Sequence, residues 1–331
     1  MLKIVQVGLG PLGQKVVRFA LERGGMRIVA AVDPDPSKAG KDLGEICGIG
    51  PFGLTVGPDL KSALGRRKAD VAVVTTVSGL GAVEAQIKTL AQAGLHIVST
   101  CEELSFPWQT HPRISKRLDR LCREWGVACV GTGVNPGFLM DYLPGVLSSV
   151  CQKIDGVKVT RIQDASKRRI PFQQKIGAGL TRAQFKAKAD DGSLRHVGLV
   201  ESAHMIAHSL NWKLDRTTES LKPVMAKATI KTGYKKIVPG LACGVEQVCR
   251  GYRAGKEVIR LHFRAAVGEK DSFDLIEISG TPKLSSKIAG GVNGDIATCA
   301  IVINAARSIT KVGPGLKTML DLPVPSYFDG I

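Results

Sequence analysis

Apolar positions along the first 150 residues fall into two alternating rhythms. β-branched runs at 2–7, 27–32, 70–75, 96–100 and 128–131 read as buried strands, whereas Leu12, Val16, Phe19 and Ala20, and the segments 83–93 and 113–125, carry apolar residues at helical spacing. Strands separated by helices of this length predict right-handed βαβ crossovers and a parallel sheet. A further apolar helix is predicted over 138–150, with Pro136 at a first helical position. Asn135 then reads equally well as its cap or as a carboxamide facing a ligand.

Beyond residue 151 the rhythm changes. A strand at 157–163 precedes a basic loop and a helix over 196–212, and strands at 226–234, 244–252, 257–267 and 272–280 follow at short spacing. Val258, Arg260, His262 and Arg264 alternate with Ile259, Leu261, Phe263 and Ala265, the period-two signature of a sheet with one wet face. An antiparallel meander is predicted. The apolar segment 294–310 is too short for a bilayer and too apolar for a surface, so it is expected to pack between the domains. The predicted class is α/β: a Rossmann doubly wound parallel sheet over 1–150, a second α+β domain on a mainly antiparallel sheet over 151–290, and a C-terminal helix and tail, 291–331, packing back on the Rossmann domain.

Chemistry enters at Gly8-Leu9-Gly10-Pro11-Leu12-Gly13, a G-x-G-x-x-G that links the first strand to the first helix. The glycines serve a tight turn, close approach of backbone to a pyrophosphate and close packing of helix on strand, with the pyrophosphate at the helix N-terminus. The next strand ends in Asp33, about 20 residues on, where an acid accepts ribose hydroxyls. Together these predict dinucleotide binding. Asp33 favours NAD over NADP, while Lys38 and Lys41 are placed to embrace a 2′-phosphate, so dual use is open. Thr75 and Thr76 end a strand where a nicotinamide ribose would pass, or simply cap the next turn.

The chain has 331 residues, enough for two domains with a real core. Forty-six Lys and Arg against 29 Asp and Glu give a net charge of +17, which raises the question of a polyanionic partner. The basic residues are scattered, with one dense run at Ser166–Arg169 and no interleaved aromatic platform, so a solvated surface is expected and no nucleic acid. No apolar run reaches the roughly 18 residues of a membrane span, and Met1 leads straight into a strand, so a cytoplasmic chain without membrane contact is expected. The eight cysteines form no C-x-x-C pair and read as reduced core thiols. Glu201, His204 and His208 share a helix face without a third-ligand motif, so no metal is expected.

Residues 99–108 carry the remaining candidate chemistry: Glu102 and Glu103 stand side by side where a parallel strand ends, the place where ligands collect in open sheets. Cys101 is a poor nucleophile there, because neighbouring carboxylates raise a thiol's pKa. The stretch contains no lysine to protonate a developing alkoxide. A carboxylate beside a nicotinamide instead suits a reaction that passes through a cation, such as an iminium.

On Gly8–Gly13, Ser99–Pro107 with Cys101-Glu102-Glu103-Leu104, Asn135-Pro136-Gly137 and the tail from Gly313 to Pro323, the sequence resembles the NAD(P)-dependent 2,4-diaminopentanoate dehydrogenases and native amine dehydrogenases, which group with dihydrodipicolinate-reductase-like proteins. The resemblance implies reductive amination of small ketones or aldehydes with ammonia, and the reverse oxidative deamination. It also implies a homodimer whose second, substrate-binding domains pair their sheets, and one catalytic glutamate, Glu103 with Glu102 as the alternative. It further implies pocket residues Leu80, Asn135, Arg161, Gln163, His196 and His262, with a smaller amide at the position of Gln163 in some relatives. A strict 2,4-diaminopentanoate dehydrogenase and a non-catalytic dinucleotide-sensing regulator are the alternative readings.

Overall fold

A computed structural model describes residues 1–166, 168, 170–233 and 235–330. Lys167 and Arg169 of the basic run, and Tyr234 at the end of the predicted 226–234 strand, lie outside the described residues. In chain order the first segment runs β1 (Leu2–Val7), α1 (Pro11–Arg23), β2 (Met26–Val32), α2 (Leu43–Cys47), α3 (Leu60–Leu64), β3 (Val71–Val74), α4 (Leu80–Gln92), β4 (His96–Ser99), α5 (Pro112–Glu124) and β5 (Ala128–Gly131). The middle segment runs α6 (Tyr142–Leu147), β6 (Lys153–Asp164), α7 (Ile170–Lys175), α8 (Arg182–Asp190), α9 (Leu199–Ser209), β7 (Arg216–Met225), β8 (Ile230–Lys231), β9 (Lys236–Ile237), β10 (Ala242–Arg253), β11 (Lys256–Ala266), β12 (Phe273–Thr281) and β13 (Leu284–Ala289). The chain closes with α10 (Gly294–Ser308) and β14 (Gly315–Lys317).

Two compact units result, one built from Met1–Phe138 with the segment from Gly294 onward, the other from Leu139–Asn293. The first holds a six-stranded sheet in the order β14-β5-β4-β3-β1-β2, with every pairing parallel. Between β1 and β3 the order of connection reverses, which is the switch point where such sheets bind ligands. Val5, Val7, Ala72, Val74, Leu80, Val83, Ile87 and Ile97 form part of one continuous apolar cluster. α10 packs against α1 in this unit, and β14 extends the sheet beside β5. The short β14 is an element that the turn-rich tail had concealed.

The second unit departs from the predicted meander. Its sheet runs β13-β12-β6-β11-β10-β7, and β6 inserts between β12 and β11, antiparallel to the former but parallel to the latter. The sheet is therefore mixed, though mainly antiparallel. The first strand after α9 is β7, not 226–234; among the described residues of that stretch the strand is Ile230–Lys231, in a short hairpin with Lys236–Ile237. β7 is polar and carries Pro223, which cannot donate to a ladder on both sides; as an edge strand it escapes an apolar pattern search.

The helix predicted over 138–150 is shorter as well. Gly137 has φ +116°, outside the right-handed helical region, and the helix starts only where the Asp141 carboxylate accepts the Tyr142 N–H at 2.7 Å. Pro136 follows a cis Asn135–Pro136 bond and is not a helical first residue.

Candidate active site

In the first unit the glycine loop is shaped by contact. Gly8 has φ +86°, and a side chain there would meet Thr76 Cγ2 at 2.8 Å. A Cβ on Gly13 would stand 2.0 Å from the carbonyl oxygen of Gly8, so this glycine is needed by the fold itself. A Cβ on Gly10 would find nothing within 4 Å, and no side chain caps α1, which begins with Pro11 exposed and Leu12 half-buried. The open face at Gly10 and the uncapped helix N-terminus fit a pyrophosphate group.

Two neighbours brace the loop. The Thr75 hydroxyl donates to the Gly8 carbonyl at 2.9 Å and accepts from Gln6 Nε2 at 2.8 Å, so its side chain faces inward to the loop. Thr76 Oγ1 instead donates to Gln86 Oε1 at 2.8 Å and is exposed. Asp33, at the end of β2, accepts the Leu9 N–H at 2.7 Å and sits 3.0 Å from Lys38 Nζ.

At the end of β4 the backbone turns into a 3₁₀ segment, Glu102–Leu104, held by Glu103 N–H to the Ser78 carbonyl and by the Ser105 hydroxyl to the Glu102 carbonyl. Gly131 at the end of β5 lets this turn approach, since a Cβ there would lie 2.5 Å from Leu104 C. Glu103 Oε2 accepts the Leu80 N–H at 2.8 Å, at the start of α4, and lies 3.4 Å from His111 Nε2. Leu80 is fully buried in the apolar cluster, so it meets the candidate carboxylate through its backbone and not through its side chain. His111, a residue the sequence did not single out, reaches Glu103 only because the loop after Trp108 folds back. The Cys101 thiol is pushed up to about 12, chiefly by burial, with Glu102 and Glu103 adding to the rise, and it donates to the Ser78 carbonyl. Asn135 is half-buried in the turn between β5 and Gly137.

In the second unit, strand register groups the remaining candidates. Asp274, Arg161, Phe263 and Gln247 form one row across β12, β6, β11 and β10. Arg161, 1% exposed, contacts Asp274 Oδ1 at 2.6 Å and the Val292 carbonyl at 2.9 Å; burial draws its guanidinium down to about 10 against the pull of Asp274. Gln163 donates to the same Val292 carbonyl at 2.8 Å and accepts from Arg168 at 3.2 Å. The His196 ring lies 4.3 Å from that of Phe263, its backbone is held both ways by Gln247, and burial with Lys175, Arg161 and Arg168 nearby depresses it to about 3.

His262 is the exception: its register partners are Thr160 and Val248, so it faces the opposite side of the sheet, where Nε2 meets Glu246 at 2.9 Å. The sheet thus brings Arg161, Gln163 and His196 together and sets His262 apart. Asp274 was missed in the sequence, although it falls in phase with Ile276 and Ile278 on β12, and a charge in the apolar phase of a strand signals a buried partner. On α9, Glu201 is buried, His204 half-buried and His208 exposed, and among the described residues no cluster of metal-ligating side chains occurs.

Fold and loop define the class of proteins with a glycine-loop Rossmann dinucleotide-binding unit. Residues 138–330 match the 2,4-diaminopentanoate dehydrogenase C-terminal domain, and residues 2–101 match the dihydrodipicolinate reductase N-terminus. The chain belongs to the 2,4-diaminopentanoate dehydrogenase and amine dehydrogenase family. It is 29% identical to a 2,4-diaminopentanoate dehydrogenase of Acetoanaerobium sticklandii, over 99% of this chain and 95% of that one. It is 22% identical to an amine dehydrogenase of Streptomyces virginiae, over 98% and 97%. The solved amine dehydrogenase of Mycobacterium smegmatis shares the fold, with TM-score 0.88 at 23% identity, over 100% of this chain and 98% of that one. No described helix is long and apolar enough to cross a membrane.

Proposed function

We propose that this chain is an NAD(P)H-dependent dehydrogenase that aminates small ketones or aldehydes with ammonia and deaminates the corresponding amines. The observation that carries this reading is the carboxylate of Glu103, anchored through Oε2 to the Leu80 N–H at the end of β4, on a strand end without a lysine. An ionised carboxylate cannot protonate an alkoxide, but it takes a proton from ammonium to free the attacking ammonia and stabilises the cation formed when water leaves. In this scheme an ammonium ion gives one proton to the Glu103 carboxylate and the ammonia so formed adds to the carbonyl carbon. The added nitrogen passes a second proton to the carbonyl oxygen, giving a carbinolamine, and protonated Glu103 then protonates that hydroxyl, so that water leaves an iminium beside the regenerated carboxylate. A bound reduced nicotinamide would supply the hydride for its reduction. Gly8, Gly10, Pro11, Leu12 and Gly13 would hold the pyrophosphate, Asp33 the adenosine end, and Thr76 and Asn135 would line the nicotinamide end, with Thr75 bracing the loop from within.

Replacing Glu103 with Gln tests the assignment: nucleotide binding should persist while ammonia-dependent NAD(P)H oxidation falls by at least a hundredfold. Turnover near wild type in that variant, with loss in Glu102→Gln, would move the role to Glu102. A stricter specificity for 2,4-diaminopentanoate is favoured by the full-length similarity to the A. sticklandii protein. Comparing turnover of that diamino acid with a simple monoamine separates the two.

The second unit is read as the substrate-binding and pairing unit of a homodimer. On the sheet face shared with His262, Ile162, Val248, Phe273 and Leu275 are only partly buried, which supports pairing through that face. Sedimentation of the protein as a monomer at micromolar concentration would contradict it.

A further inference from the structure

Asp33 stands where an acid normally grips both adenosine ribose hydroxyls, but its acceptor capacity is largely spent. Oδ1 accepts the Asp35 N–H at 3.0 Å, and Oδ2 takes both the Leu9 N–H at 2.7 Å and Lys38 Nζ at 3.0 Å. A carboxylate offers about four acceptor positions, so roughly one is left for a ribose. The carboxyl is also inside: Asp33 is 6% exposed, whereas the Lys38 side chain is 23% exposed and also contacts Asp35 at 3.3 Å. Burial works against the Asp33 charge, but the two backbone donors and Lys38 outweigh it and hold the carboxyl below its usual range; Lys38 is raised in turn, first of all by Asp33.

An acid at this strand end excludes a 2′-phosphate only when its charge meets the phosphate unshielded. Here the ammonium of Lys38, the more exposed of the two side chains, is bonded to the Asp33 carboxylate, and its second partner, Asp35, is an exposed carboxylate. Exposed ion pairs contribute about 0–1 kcal/mol, so Asp35 is readily exchanged for another anion. A phosphate would offer Lys38 a charge-assisted contact of at least equal strength.

We propose that Lys38 is the cofactor-specificity residue of this chain, which accepts the 2′-phosphate of NADP(H) by exchanging Asp35 for it while Asp33 stays locked to Leu9 of the glycine loop. The inference rests on the dinucleotide-binding reading above and replaces a preference for NAD with acceptance of NADP(H) at least as readily. Fluorescence titration of NADPH and NADH, without substrate, tests it. Wild type should bind NADPH at least as tightly as NADH. Lys38→Met should weaken NADPH tenfold or more while leaving NADH within about threefold, and Asp35→Asn, which frees Lys38, should tighten NADPH. Equal effects of Lys38→Met on both nucleotides, or a wild type that prefers NADH tenfold, would overturn the assignment. Failure of wild type to bind either nucleotide would overturn the dinucleotide reading itself and this inference with it.

Discussion

The Leu80 N–H donates to Glu103 Oε2 at 2.8 Å, so the proposed catalytic carboxylate is also an acceptor for the N-terminus of α4. The two roles are separable. Gln keeps an acceptor oxygen and loses the charge, whereas Ala loses both. Glu103→Ala should lower stability by about 1–2 kcal/mol in denaturant titration, and Glu103→Gln by less than half of that. Equal destabilisation by both would show that charge, not hydrogen bonding, holds the turn.

Gly10 and Gly13 are expected to fail differently. Gly10→Ala places a methyl in open space at φ −66°, so the protein should fold normally and lose dinucleotide affinity by at least tenfold. Gly13→Ala drives a methyl into the Gly8 carbonyl and should lower the melting temperature even without nucleotide. A thermal scan and a nucleotide titration of each variant check this, and the idea is lost if Gly10→Ala binds as wild type does.

The buried Arg161–Asp274 pair supplies a third test. Arg161→Met leaves the Asp274 carboxylate, 4% exposed, without its cation and should cost about 3–5 kcal/mol. Adding Asp274→Leu should recover much of that loss, though the Val292 N–H then lacks its acceptor, while its carbonyl keeps the Gln163 donor. A double variant no more stable than Arg161→Met would contradict this account of the pair.

His196 sets a pH dependence. Its folded value of about 3 lies below the ordinary 6.5, so between these values the unfolded chain binds a proton that the folded chain does not. Its contribution is therefore complete above pH 6.5 and is lost as pH falls toward 3. His196→Phe should flatten the acid side of the stability profile relative to wild type, by an amount on the order of a few kcal/mol at pH 4. Parallel wild-type and variant profiles would remove His196 from the explanation.

What the sequence determined by itself was local and periodic. β1, the glycine loop, α1 and the Asp33 strand end were legible because buried parallel strands and an N-terminal helix turn have short-range signatures, and the Glu102–Glu103 step was visible as charge at the end of an apolar run. Tertiary structure decided the rest. β7 and β14 carry too little apolar alternation to be read alone, and the place of β6 between β11 and β12 depends on pairing across more than 90 residues of chain. The same long-range pairing put His262 on the opposite face from Arg161 and Gln163, because one step of register reverses the side of a sheet. Lys38 was visible as a phosphate candidate, but its bond to Asp33, like that of His111 to Glu103, is a loop contact made by the fold, which no spacing in the chain announced.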